Sequence, residues 1–184
     1  MSYCTTAPGH PWHGPYHDDE YGFPTRDDAV LFERLALEIN QAGLSWLTVL
    51  KKREAFFDAF RGFDPKVVAR FDDDDRKRLL GDASIIRNRL KVAAVIENAR
   101  RVVAIQDEYG SFASWLDEHH PLPKEDWVRL FKSSFKFMGG EIVGEFLMST
   151  GYLPGAHEPG CPVHARIAGL APPWMRKTGV PTDC

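Results

Sequence analysis

The chain of 184 residues is 43% hydrophobic, 12% aromatic and 27% charged, with a formal net charge of -3, a balance that excludes a disordered polyelectrolyte and is ample for a sizeable core. Bulk charge of that sign repels nucleic acid weakly, so a polyanionic partner has to be met by a local basic patch. No apolar run approaches the roughly 18 residues of a membrane span, and Met1 to Thr6 lacks the basic start and apolar core of a signal peptide. We therefore expect a cytoplasmic protein without membrane contact, and the scattered Cys4, Cys161 and Cys184 fit a reducing compartment better than a disulfide framework.

Residues 1–24 are rich in Gly, Pro, His and Tyr without periodicity, which predicts an irregular, packed segment carrying Cys4, His10, His13, Tyr16 and His17. Thr25-Arg26-Asp27-Asp28 reads as a capping box ahead of an apolar helix to about Asn40, and Gln41-Ala42-Gly43 breaks it. Ser45 is a cap for a second helix to about Phe60, and Asp64-Pro65 opens a short one to Phe71. The acidic run 72–75 starts a helix ending at Gly81. After Gly81-Asp82-Ala83-Ser84 a long helix carries Ile85, Val92, Ile96, Ala99 and Val103 as a core stripe. Ser111 caps a short helix to Asp117, and Pro121 and Pro123 mark a loop. Lys124 to Lys132 is helical, and Glu141 to Thr150 forms a last helix before an irregular, proline-rich tail from 152 to 184. No strand or repeat emerges, so the expected fold is all-α, one domain over 1–184 with many short helices.

Three constellations carry chemistry. Glu38 lies three residues after Leu35 and seven after Leu31, which puts a carboxylate on the face where leucines point. Such a group is either paired inside the protein or kept for a ligand that brings donors or positive charge. Tyr16, Tyr21 and Trp46 could cage a flat cationic heterocycle beside it, or serve simply as core aromatics. Secondly, His157-x-x-x-Cys161 offers two zinc ligands that Cys4 and His17 could complete to a tetrahedron. By spacing alone His10, His13 and His164 remain alternatives, as does a plain buried thiol. Thirdly, the segment 79–91 places Arg87, Arg89 and Lys91 after a tight turn, as phosphate contacts or as an exposed basic helix face.

Taken together, Cys4, Tyr16-His17-Asp18-Asp19-Glu20-Tyr21-Gly22, Glu38, the block Gln41 to Glu54, Asp82-Ala83, Ile85-Ile86-Arg87, Phe135-Lys136-Phe137, His157 and Cys161 resemble the 3-methyladenine DNA glycosylase I family. The likeness runs from Cys4 to Cys161 and is most specific in the Gln41 to Glu54 block. It implies a helix-hairpin-helix glycosylase, probing double-stranded alkylated DNA as a monomer, with its termini clipped by a structural zinc on Cys4, His17, His157 and Cys161. It further implies a pocket in which Glu38, Tyr16, Trp46 and Tyr21 hold a flipped cationic base, and a wedge at Gln41, Gly43 and Leu44. Arg87, Arg89 and Lys91 would then hold the DNA backbone. The implied reaction hydrolyses the N-glycosidic bond of a base whose positive charge already weakens it. No catalytic aspartate follows the hairpin, so little activity is expected on stabler lesions such as 7-methylguanine.

Several positions depart from the family pattern: Tyr21 stands for Trp, His13 for Tyr, Thr6 for an aromatic and Ser84 for the hairpin glycine. Glu145 replaces a small polar residue. If Glu145 faces the pocket, a second carboxylate could redirect the preferred lesion. The reading that competes from another class is a non-catalytic, zinc-stabilised DNA-binding module.

Overall fold

The computed structural model describes residues 2–176; the expectations for the tail as far as Cys184 lie partly outside them. Among the described residues the chain is all-α, as expected, without a strand.

At its centre is α3 (Asp28–Gln41), whose residues Leu31 to Asn40 are all buried. Around it pack α4 (Trp46–Ala59), α7 (Arg89–Tyr109), α8 (Phe112–His119) and α10 (Gly140–Ser149). The main core joins Leu31, Leu35 and Ile39 of α3 to Phe56, Val95, Phe112 and Phe146 of its neighbours. A helix covered on every side has no solvent face on which to place a charge at low cost. Each of its acids must therefore find a partner or face a cavity.

The caps are local features and mostly appear where expected. Ser45 accepts from the Thr48 amide to start α4. Asp64 does so for α5 (Pro65–Val68), and Asp72 for α6 (Asp73–Gly81), there in a capping box with Asp75. For α3 the cap is Asp27 and not Thr25, because its carboxylate accepts both the Ala29 and Val30 amides while Thr25 accepts only that of Asp27. Asp28 reaches away and accepts the Phe112 and Ala113 amides at the start of α8.

Other expectations need correction. The segment 1–24 holds two helices, α1 (Tyr3–Thr6) and α2 (His13–Asp19). They are too short to persist alone and depend on tertiary tethers, which periodicity does not reveal. Nor is α10 the last helix: α9 (Lys124–Ser134) precedes it, and α11 (Pro162–Ala168) and a 3-10 turn (Pro173–Met175) follow. The long helix α7 starts only at Arg89, capped by Asn88, so Arg87 precedes it; Val102 takes the fully buried place expected of Val103.

The turn between α6 and α7 closes without a glycine at 84. The Asp82 carboxylate accepts both the amide and the hydroxyl of Ser84, and Lys52 of α4 donates to the Ala83 and Ser84 carbonyls at 3.2 and 2.9 Å. No left-handed residue is needed there. Glycine is required instead at Gly22, with φ +86 and the Ala156 side chain 2.8 Å from where a Cβ would sit.

Candidate active site and metal cluster

A cavity of about 660 Å³ opens where the C-terminus of α3, the start of α4, the N-terminal segment and the N-terminus of α10 meet. Of the residues expected from the sequence, Tyr16, Tyr21, Glu38, Gln41, Gly43 and Trp46 line it. Leu44 follows directly, exposed to 41% of its surface, an unusual state for a leucine beside a cavity. Ala42 has left helical geometry and Gly43 has φ +78, so the backbone turns sharply between Glu38 and Leu44. Glycine adopts that conformation at little cost.

Glu38 is only 4% exposed, and no hydrogen bond or ion pair reaches its carboxylate from the described residues. Burial pushes its carboxyl up to about 8; the charge of Glu145 adds to the rise and Arg34 opposes it. Glu145 does face the cavity, and Tyr21 donates its hydroxyl to Oε2 at 3.0 Å. Its own carboxyl is also raised, by burial first, against the help of that hydrogen bond. The Tyr16 hydroxyl, buried like the rest of the side chain, has no partner among the described residues. Its ring lies 5.1 Å from that of Trp46 and 5.6 Å from that of Tyr21, with Arg34 5.2 Å from its centroid. The site is thus an aromatic cleft with two buried or half-buried acids, Glu38 and Glu145, and the exposed Glu141 at its rim, suited to a flat ligand that supplies N–H groups and positive charge.

The N-terminus of α10 completes the wall through Gly139, Gly140, Glu141 and Ile142, and it has no side-chain cap. Sequence reasoning missed this wall, for which Gly139-Gly140 was the available signal. It also missed Tyr3, which lines the cavity and whose hydroxyl lies 3.1 Å from His13 Nδ1. Thr6 is exposed and takes no part in the wall.

Arg87 and Arg89 are exposed on the turn before α7 and its first residue, outside the cavity lining. Lys91 does not join them, which corrects the expectation of a three-cation phosphate site. It is 5% exposed, and its ammonium donates to the carbonyls of Asn40 at 2.7 Å and Ala42 at 2.6 Å. A cation so enclosed cannot reach a phosphate.

A second cluster lies behind the cavity. The ligand atoms of Cys4, His17, His157 and Cys161 all fall within 4.8 Å of one another. Cys4 Sγ is 3.6 Å from His157 Nδ1, while Cys161 Sγ is 3.8 Å from His17 Nε2 and 3.7 Å from His157 Nδ1. These are the edges of a tetrahedron with metal-ligand bonds of roughly 2.0–2.3 Å, the lengths zinc makes to nitrogen and sulfur. The outward nitrogens are held as well: His17 Nδ1 by Asp18 at 2.6 Å, His157 Nε2 by the Tyr21 carbonyl at 2.7 Å. Such outer contacts fix ring orientation in metal sites. The residues fit a metal and are the set the family resemblance implies; His10, His13 and His164, which spacing left open, are not in the cluster.

Comparison with known proteins gives one consistent result. A family model described as methyladenine glycosylase matches residues 6–129. DNA-3-methyladenine glycosylase 1 of Escherichia coli (strain K12) is 37% identical, the match covering 88% of this chain and 96% of that protein. Among solved structures, a Y16F variant of 3-methyladenine DNA glycosylase I in complex with 3-methyladenine superposes with a TM-score of 0.79 at 35% identity, covering 89% of this chain and 97% of that one. An E38Q mutant of the Staphylococcus aureus enzyme gives 0.78 at 35% identity, with the same coverage.

Proposed function

The chain belongs to the methyladenine glycosylase family and acts on 3-methyladenine in alkylated DNA as a hydrolase of the N-glycosyl bond; from that premise we propose how its residues divide the work. The observation that carries the assignment is Glu38, a carboxylate without a donor of its own, buried at the end of a helix and facing an aromatic cavity. The partner it lacks is the flipped, positively charged base. Trp46, Tyr16 and Tyr21 offer their rings to the base, and Glu38 accepts hydrogen bonds from its edge and favours its charge. The variants Y16F and E38Q in two solved structures of relatives touch the same two residue types.

The chemistry asks little of the protein in proton transfer. As the bond between sugar and base breaks, its electron pair passes to the base and cancels the positive charge. Water adds to the sugar carbon and loses a proton to solvent, leaving the free base and an abasic site. What the residues contribute is selection of the charged base and exclusion of the neutral ones. Gln41 to Leu44 form the wedge that enters the duplex. The α6–turn–α7 unit acts as a helix-hairpin-helix anchor, with Arg87 and Arg89 on the phosphates and Lys91 removed from that set. The whole of 1–184 serves as one glycosylase unit working as a monomer.

The second cluster holds zinc through Cys4, His17, His157 and Cys161. Four protein ligands leave no open position, so the ion's contribution is to fasten α1, α2 and the segment after Gly155 together. Replacement by Cys161→Ser should abolish zinc content and lower the unfolding temperature before it lowers turnover per folded molecule; loss of turnover with unchanged unfolding would reverse the assignment.

Glu145 favours a second reading within the same chemistry, a shifted lesion range. With Tyr21 donating to it, it provides another acceptor in the pocket, and bases with an additional amino group would gain from it. The deciding experiment is base release from methylated duplex DNA, with 3-methyladenine, 3-methylguanine and 7-methylguanine separated. Wild type should release 3-methyladenine, and Glu38→Ala should lose on the order of a hundredfold in rate. Equal rates for the two proteins would remove Glu38 from the mechanism.

A further inference from the structure

Lys91 is a charged side chain almost wholly buried, and it makes no ion pair among the described residues. Desolvation depresses its pKa, so the structure must hold it for some other reason. Its two acceptors explain where it sits. At the end of α3 the Ile39 carbonyl accepts from the Ala42 amide and the Gln41 carbonyl from the Leu44 amide. The Asn40 and Ala42 carbonyls are the ones that Lys91 takes, at 2.7 and 2.6 Å. Its charge also lies at the negative end of the α3 dipole. Carbonyls at helix ends need partners, yet solvent or a neighbouring amide would serve as well. An ammonium brought from another helix adds a mechanical link.

That link joins three parts of the DNA-facing surface. Lys91 belongs to the first turn of α7, whose cap is Asn88 and whose first residue is Arg89. The turn it grips carries Gln41, Gly43 and Leu44. From the other side Lys52 of α4 grips the Ala83 and Ser84 carbonyls. The turn that follows Glu38 and the turn that carries Arg87 are thereby tied together by two lysines through backbone oxygens. Gly43, with φ +78 and open space around its missing Cβ, has no packing of its own to hold it.

We propose that Lys91 is a positioning residue for base flipping: its ammonium fixes the 40–44 turn so that the wedge, Glu38 and the Arg87–Arg89 anchor keep one spacing. This rests on the reading of Gln41 to Leu44 as the wedge. Free base is held by Glu38 and the rings of Tyr16, Tyr21 and Trp46, which lie outside the 40–44 turn although that turn forms one edge of the cavity, whereas a base in duplex DNA needs the turn held in place as well. The two ligands therefore separate a positioning role from a merely stabilising one.

The experiment compares wild type, Lys91→Met, Leu44→Ala and the double variant, well below their unfolding temperatures. Three quantities are read: single-turnover release from methylated duplex, affinity for an abasic-site duplex, and affinity for free 3-methyladenine by tryptophan fluorescence. Lys91→Met should lose at least tenfold in release and in duplex affinity while binding free base within twofold of wild type. The double variant should cost less than the product of the two single losses, since both act through one turn. Parallel loss of free-base binding, or release within twofold of wild type, would overturn the proposal. If Leu44→Ala keeps wild-type release, it is the wedge reading that fails. Should Lys91→Met not fold, Lys91→Gln, which keeps an N–H donor, carries the same comparison.

Discussion

Glu33 and Glu38 lie on the same buried helix, five residues apart, and are treated in opposite ways. Glu33 receives two hydrogen bonds from Arg53, at 2.8 and 3.1 Å. Arg53 also binds Glu20 at 2.7 Å, and Arg34 closes the group by binding Glu20 at 3.0 Å. Burial works against the ionised form of Glu20, but Arg53 and Arg34 hold its carboxyl below the usual range. Glu38 has burial without donors, and its carboxyl rises to about 8. The first group is complete and fastens α2, α3 and α4 together. The second is incomplete inside the protein, and the difference marks which acid is kept for a ligand.

The comparison breaks most severely at Arg53. Arg53→Met leaves Glu33 buried and without its partner, which by the usual cost of breaking a buried pair should destabilise the fold by about 3–5 kcal/mol. Denaturant titration measures it, and base release per folded molecule should stay near wild type. A small loss of stability would mean that Glu33 finds solvent and that the contrast with Glu38 is weaker than the geometry indicates.

Glu38→Gln tests the opposite side. Release of 3-methyladenine should fall by on the order of a hundredfold, a loss near 2.7 kcal/mol, while stability should rise. A carboxyl whose pKa is higher folded than unfolded binds more protons in the native state between the unfolded value, about 4.5, and about 8. Stability from this group is therefore full at low pH and is lost as pH climbs through that window. Glu38→Gln should accordingly gain over wild type at pH 8, by up to a few kcal/mol, and gain little at pH 4. Thermal unfolding at the two pH values reads the difference, and equal gains would show that the substitution acts through packing.

How much of this was legible beforehand depended on whether the cause was local. The caps at Ser45, Asp64 and Ser111 are set by one side chain and the next three amides, so they could be read directly. Glu38 was legible because its spacing from Leu31 and Leu35 places it on a buried face. The same reasoning applied to Lys91 puts it in line with Val95, Asn98 and Val102, all buried. Its proximity in sequence to Arg87 and Arg89 suggests a common surface instead, and that suggestion misleads because Lys91 alone of the three points inward. The short helices α1 and α2 depend on contacts with residues more than a hundred positions away, such as Cys4 with His157 and His17 with Cys161, while Tyr3 is set by aromatic contacts with His13, His17 and Tyr21 in a stretch without periodicity. No local pattern encodes those. Glu145 could be flagged but not placed, since its meaning depends on Tyr21 reaching it.

Glu145 gives the smallest and most diagnostic effect. In the free enzyme kcat/KM for a cationic base should rise with pH as Glu38 ionises, reach half its height near 8 and level off above that, because the apparent pKa in kcat/KM belongs to the unliganded protein. Glu145 adds to the Glu38 rise after burial, so Glu145→Gln should move the ascending limb to lower pH, with Arg34 now opposed by burial alone. Its effect at any one pH should stay within about tenfold, the scale of one pH unit. The height of the plateau carries separate information. If Glu145 touches the base, the plateau changes, and changes differently for 3-methyladenine and 3-methylguanine. If it only raises the Glu38 pKa, the limb moves and both plateaus stay. A limb that does not move would mean that the two carboxylates share a cavity without sharing charge, and Glu38 would then owe its pKa to burial and not to its neighbour.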